Sequence, residues 1–325
     1  MKTIKECLKA TLPHNTLGVI AKLKRDLLHP KNEASIAISA LRKGLLKKPL
    51  DKGSEVLLAN ICNGKLRYTQ FPYFWVNEYS PQNFPAQLDK ECSMYYVEKN
   101  GLRLYFPKRW YKWMAEKQAC EASLEMDLRS PHRYVTKENN LFGTINIKDN
   151  LQEKPFYVKK GDIVADIGCS HANFALSVAD IAEHIYLFEV DPVWNEPLRK
   201  TFEKYKDKVT IINKFVSDKD TENSVCLDTF FKNRQIDFIK ADIEGYELQF
   251  LQGSKGILLE KNIKISICTY HKPQDEVELY RFLRELGYIG DFTNGYMLCI
   301  RDNTLFNSSF LRKAVLRMKK AEKGL

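Results

Sequence analysis

At 325 residues, with 44% apolar and 28% charged side chains, the chain has the length and composition of one large or two smaller globular domains, which excludes a disordered chain. The net charge of +10 sits at the ends: residues 1–50 carry 11 Lys+Arg against 3 Asp+Glu, residues 310–325 carry 6 against 1, and 34 against 37 remain between them. A slightly acidic body argues against a nucleic-acid partner, which requires a basic face.

Eight cysteines show no Cys-x-x-Cys spacing, and Cys268 and Cys299 fall in apolar runs, where a free thiol behaves as a small apolar group. No stretch approaches 18 apolar residues, and lysines interrupt every run near the N-terminus. These features predict a cytoplasmic protein in a reducing compartment. The basic ends suit peripheral contact with the anionic inner face of a membrane, or equally the solvated outer faces of helices.

In chain order, residues 1–50 read as a basic helical segment broken by Pro13, Pro30 and Pro49. Residues 51–150 form an aromatic-rich cap with α+β character, including Phe71, Tyr73, Phe74, Trp75 and Tyr79. Within it, Asn100-Gly101 supplies the positive φ of a two-residue turn, so Met94–Lys99 and Leu102–Phe106 are predicted to pair as a hairpin. A helix is predicted from Arg109 to about Leu128. His132, Arg133 and Tyr134 follow on a loop fixed by Pro131, three hydrogen-bonding side chains placed either to reach a ligand or to end the helix.

Residues 151–309 read as an α/β domain with a mostly parallel, Rossmann-like sheet. Ile163–Ile167 is a buried strand that breaks at Gly168, Asn173–Ile181 is a helix, and Ile185–Val190 is a second strand ending near Glu189. Ligands of such sheets lie over the carboxyl ends of the strands, so Gly168 and Glu189 face one crevice, with Glu189 suited to accept both hydroxyls of an adenosine ribose. Val209–Ile212 is a third strand, followed by Ser217 and Asp218 where adenine contacts fall. A fourth strand, Ile236–Ala241, carries Lys240 and leads into Asp242 and Glu244. Leu248–Leu259 is a helix, Lys264–Tyr270 a fifth strand ending at His271, and Gln274–Leu286 a helix starting beside Asp275. Tyr288–Phe292 and Tyr296–Ile300 flank Thr293-Asn294-Gly295 and read as a closing antiparallel hairpin. Residues 310–325 read as a basic amphipathic tail with an apolar stripe of Phe310, Leu311, Ala314, Val315 and Met318.

A dinucleotide site needs Gly-x-Gly-x-x-Gly against its pyrophosphate, and only Gly168 is present. S-adenosyl-L-methionine has no phosphate and tolerates a single close-approach glycine preceded by an acid, here Asp166. That cofactor, and the hairpin that closes the sheet, point to methyl transfer. If strands four and five are neighbours, Asp242, Glu244 and His271 converge above the sheet. His271, with an ordinary pKa of about 6.5, is the first candidate for general base, and Asp242 or Glu244 would orient it or the substrate. A competing arrangement makes Asp242, Glu244, His271 and Asp275 ligands of a divalent, magnesium- or manganese-class ion. Lys240 already supplies a positive charge there and argues for the first arrangement.

The order of these motifs resembles the FkbM-like family of methyltransferases. Val164-Ala165-Asp166-Ile167-Gly168, Leu187-Phe188-Glu189-Val190-Asp191-Pro192, Cys226-Leu227-Asp228, Asp237 to Gly245 with Leu251-Gln252-Gly253, and Cys268-Thr269-Tyr270-His271-Lys272 with Asp275 carry the resemblance over about residues 130–300. It implies O-methyl transfer from S-adenosylmethionine to a hydroxyl, commonly of a sugar or polyketide. The Ser130–Tyr134 segment is similar to a branch associated with bacterial surface glycans, which makes a glycan or its lipid-linked precursor the expected acceptor. The family has glycine where this chain has Ala172, and the wider methyltransferase pattern has another at Ser170. A left-handed backbone at Ala172 would cost about 1–2 kcal/mol and crowd the cofactor, so a catalytically silent scaffold in a glycan-assembly complex is the second reading. His171 is expected to be an exposed loop residue.

Overall fold

The computed structural model describes residues 74–141, 154–299 and 311–321. Residues 1–50, Phe71, Tyr73, Ile300 and Phe310 lie outside them. Three short strands open the described chain: β1 (Gln87–Asp89), β2 (Met94–Lys99) and β3 (Leu102–Tyr105), all antiparallel. The hairpin is in the predicted register, Lys99 opposite Leu102, with φ of 51° at Asn100 and 75° at Gly101. Helix α1 (Lys112–Met126) follows and packs its Ala115, Ala119 and Leu124 into the core beside β2.

The large sheet has seven strands in the order β11-β14-β10-β9-β4-β5-β6. β4 (Ile163–Ile167), β5 (His184–Phe188), β6 (Val209–Ile212), β9 (Phe238–Ala241) and β10 (Lys264–Cys268) are parallel neighbours. Val164, Ala165, Ile185, Leu187, Ile239, Ala241, Ile265 and Ile267 are fully buried, as a sheet covered on both faces requires. Helices α2 (Asn173–Val178), α3 (Asn195–Thr201), α4 (Leu227–Phe230), α5 (Glu247–Gln252), α6 (Lys255–Glu260) and α7 (Asp275–Glu285) connect or cover the strands. β7 (Phe215–Val216) and β8 (Ser224–Val225) form a separate two-stranded ladder. The helix predicted over Leu248–Leu259 is two helices, because Asp228 starts the second: its carboxylate accepts from the amides of Gly256 and Ile257, both at 2.8 Å.

The far end of the sheet corrects the sequence reading. β11 (Tyr288–Phe292) pairs antiparallel with β14 (Val315–Lys320), not with the segment just after it. That segment instead gives β12 (Met297–Leu298), paired with β13 (Leu311–Arg312). β14 is the one reversed strand of the seven, inserted between β10 and β11. Residues Val315–Lys320 of the basic tail are therefore a strand of the sheet, with the apolar stripe packed on the domain. Val315, Leu316 and Met318 are buried, while the Lys320 ammonium donates to the Leu258 and Leu286 carbonyls at 2.8 and 2.9 Å, near the ends of α6 and α7. The Arg312 guanidinium donates to the Tyr270 and His271 carbonyls, both at 2.8 Å. Two of the C-terminal charges, Arg312 and Lys320, are thus used within the fold. No helix among the described residues is long and apolar enough to cross a membrane.

Candidate active site

The chain leaves β4 toward β5 on one side, while β9 lies on its other side, so the carboxyl ends of β4 and β9 meet at a topological switch point. A cavity of about 280 Å³ opens there. The loop after β4 supplies Gly168, Cys169, Ser170, His171 and Asn173, and the ends of β9 and β10 supply Lys240, Asp242, Glu244, Tyr270 and His271. His132 and Tyr134, with Gln118, Glu121 and Glu125 of α1, complete the lining.

Gly168 is required by sterics. Its φ is +66°, and an added Cβ would lie 2.0 Å from the Asp242 carbonyl oxygen. Two more residues of this loop are left-handed, Ser170 at φ 47° and Ala172 at φ 54°. The strain anticipated at Ala172 is thus present, but its methyl group is 1% exposed in the main core and does not line the cavity. Crowding of a ligand by Ala172 does not follow. Ala172→Gly is expected to raise stability by about 0.5–1 kcal/mol, the relief of strain less the added chain entropy; a lowered melting temperature would show that the methyl packing outweighs it. His171 is buried, not exposed. Its ring meets Trp194 edge-on, its Nδ1 accepts from the Asn173 amide at 3.2 Å, and burial, with Lys240 nearby, lowers its pKa to about 4.

Asp166 and Lys240 are direct partners across β4 and β9, and their charged atoms lie 2.9 Å apart. Burial works against the lysine charge, but Asp166 and Asp242 hold it above the usual lysine range. Lys240 also donates to the Gly168 carbonyl at 3.0 Å, so it braces the loop while lining the cavity. Asp166 is fully buried, and burial raises its pKa against the pull of Lys240 and of the Ala175 amide. A buried carboxylate on a cavity wall has acceptor capacity for a further donor.

Asp242 is the hub. It accepts from the Tyr134 hydroxyl at 2.8 Å and the Tyr270 hydroxyl at 3.4 Å, and its oxygens lie 3.3 Å from His132 Nε2 and from His271 Nε2. Burial disfavours its charge, yet His132, His271 and Lys240 hold its pKa well below the usual carboxylate range. His271 is pinned from behind by Glu247, whose Oε1 lies 2.7 Å from His271 Nδ1 and also accepts from the Ile243 amide. Burial opposes its charge, but Glu247, Asp242 and Glu244 raise its pKa to about 9. A ring held protonated between two carboxylates is suited to position Asp242, and that charge argues against the general-base role expected of His271. Its folded pKa exceeds the ordinary one, so the stabilisation it provides is complete below about pH 6.5 and lost as pH rises through about 9, at about 1.4 kcal/mol per unit, or ~3 kcal/mol in all. The urea midpoint of the native chain is expected to fall relative to that of His271→Gln between pH 7 and 10; parallel curves would contradict the ion triad.

Other sequence candidates are only partly brought together. Glu244 reaches the cavity rim, but its side chain is 91% exposed and 3.7 Å from His271. Asp275 does not line the cavity; it accepts from the Lys272 amide at 2.8 Å, and burial raises its pKa to about 6. The proposed cation set of Asp242, Glu244, His271 and Asp275 does not assemble, and the nearest comparable cluster replaces Glu244 and Asp275 with Glu247. Glu189 stands outside the cavity lining, its carboxylate turned to the amides of Ser170 and Asp191, both at 2.8 Å. The Ser217 hydroxyl donates to Asp218 at 3.1 Å, also outside the lining. Arg133 is buried but does not line it. Sequence reasoning missed Glu247, Tyr270 and the α1 wall; Gln118, Glu121 and Glu125 recur at helical spacing, a signal that only a known facing surface makes meaningful.

Six parallel strands, one reversed strand next to the edge and a ligand crevice at the switch point make this a Rossmann-like class I methyltransferase fold. More particularly, residues 145–289 match the Methyltransferase FkbM domain, a little under half of the chain. Among solved structures the chain is similar to the methyltransferase FkbM of Methylobacillus flagellatus KT, at 17% identity over 62% of this chain and 54% of that one, with a TM-score of 0.41. It is also similar to a putative RNA methyltransferase of Pyrococcus horikoshii (15% identity, 51% and 76% coverage, TM-score 0.32). A third is the precorrin 8W decarboxylase of Methanobacterium thermoautotrophicum (20% identity, 50% and 83% coverage, TM-score 0.36). The chain thus spans about half the length of the first of these. No curated protein matches it.

Proposed function

We propose that the protein is an S-adenosylmethionine-dependent O-methyltransferase whose acceptor is a hydroxyl of a sugar or glycan. The observation that carries this reading is the cavity at the β4/β9 switch point, lined by the Asp166 carboxylate from β4 and the Asp242 hub just past β9. Asp166 Oδ2 suits the cofactor's ammonium, and Gly168 and Ser170 line the space beside it. Glu189, Ser217 and Asp218 are proposed for its adenosine part, which requires Glu189 to share its carboxylate with the loop amides. When bound, S-adenosylmethionine supplies an electrophilic methyl group on a sulfonium.

An aliphatic hydroxyl is a poor nucleophile, and its placement in line with that methyl is the larger task. Asp242 is ionised and partly open to the cavity, so it can accept the hydrogen bond of an acceptor hydroxyl. A weak base suffices there, because an oxygen that has gained a third substituent is itself a strong acid. Tyr134, Tyr270, His132 and His271 fix the Asp242 carboxylate, and the His271 charge holds it deprotonated. Asp242→Asn should lower methyl transfer from labelled S-adenosylmethionine by about 10²-fold or more while the Michaelis constant for the cofactor stays within a few-fold. Turnover near that of the native chain would remove Asp242 from the reaction. A small hydroxyl acceptor is favoured over nucleic acid by the small, acid-lined cavity.

A further inference from the structure

Four of the acids on the cavity wall are already matched or open to water. Asp166 faces Lys240 at 2.9 Å, Asp242 faces two histidines, Glu121 pairs with Lys117 at 3.2 Å, and Glu244 is 91% exposed. Glu125 differs. Its side chain is only 17% exposed, no Lys or Arg of the described residues lies within 4.0 Å of it, and its nearest charged neighbour is His132 Nδ1 at 4.0 Å, a ring whose other nitrogen faces Asp242. Burial pushes its pKa up to about 7, with His132 and Lys240 opposing and Asp242 and Glu121 adding to the rise. A largely buried carboxylate whose nearest cationic neighbour is a histidine shared with Asp242 is costly unless something binds it. Glu125 stands on the last turn of α1 and lines the cavity, and with Gln118 it offers hydrogen-bond acceptors from a helix whose lining residues include no basic side chain.

We infer that Glu125 is the anchor for a cationic group on the acceptor, so that the site takes a hydroxyl compound bearing an ammonium, of the amino-sugar class, and rejects phosphorylated sugars. The inference rests on the methyl-transfer reading and deepens it. Since α1 precedes residues 145–289, acceptor choice is set by a part of the chain outside the matched domain.

The test uses the full chain saturated with S-adenosylhomocysteine and three probes: methyl α-D-glucosaminide, methyl α-D-glucopyranoside and glucose 1-phosphate, titrated by ligand-observed NMR. The glucosaminide is expected to bind about tenfold more tightly than the glucopyranoside, as one charge-assisted hydrogen bond would give, with the phosphate weakest. Glu125→Gln should reduce that preference to within about twofold and leave the S-adenosylhomocysteine affinity unchanged. Equal binding of the first two, preference for the phosphate, binding of none, or a preference that survives Glu125→Gln would overturn the assignment. So would a loss of S-adenosylhomocysteine affinity in Glu125→Gln, which would give Glu125 to the cofactor. Failure of the native chain to bind S-adenosylhomocysteine would instead count against the methyl-transfer reading, and the glucosaminide preference is scored without it.

Discussion

Lys240→Met is expected to destabilise the fold by about 3–5 kcal/mol, because it leaves the fully buried Asp166 without its counter-charge and removes the brace on the Gly168 carbonyl. Asp242 would lose one of the cations that keep it ionised. Adding Asp166→Leu should recover much of the loss, since two apolar residues facing each other across β4 and β9 carry no desolvation cost. Denaturant melts of the two single variants and the double variant measure this directly. If the single Lys240 variant melted within 1 kcal/mol of the native chain, taken as about one ordinary surface substitution, the buried pair would not have the role assigned to it. The double variant would fold but lack the carboxylate proposed for the cofactor, which separates stability from binding.

Gly168→Ala is expected to be nearly as damaging, on the order of 3 kcal/mol, and for a different reason. The added methyl would stand 2.0 Å from a backbone oxygen at the end of β9, and backbone cannot turn aside as a flexible side chain can. The strands must separate where the cavity forms, so ligand binding should fall together with stability. A substitution that left the melting temperature unchanged would show that the loop can move from β9 at little cost. Ala172 is the instructive contrast: it has a similar positive φ, yet its methyl has core to pack against.

Much of the parallel sheet was legible because buried strands announce themselves as short apolar runs ended by turn residues, as at Ile163–Ile167 and Lys264–Cys268. The reversed strand was not. Val315–Lys320 is a strand whose pairing partners, Lys264–Cys268 and Tyr288–Phe292, are far away in sequence, and a basic apolar stripe fits a helix as readily as an edge-protecting strand. At the site, types of residue were legible and partnerships were not. The sequence places Asp242, Lys240 and His271 at strand ends, and all three line one cavity. It could not show that Lys240 pairs with Asp166, or that Glu247, three residues beyond Glu244 at the start of α5, is the acid that reaches His271. Glu244 sits at positive φ and turns outward, which no spacing rule anticipates. Glu125 was hidden for the same reason: a glutamate on a helix reads as solvated until the facing wall is known.

The most direct test is calorimetric titration of the purified chain with S-adenosylhomocysteine, alongside Asp166→Asn and with adenosine and NAD as controls. The cavity described above predicts binding of S-adenosylhomocysteine in preference to both controls, and a marked loss of affinity in Asp166→Asn, whose amide cannot pair with the ligand's ammonium. No binding at millimolar ligand, or equal binding to the two proteins, would contradict the placement of the cofactor at the β4/β9 switch point.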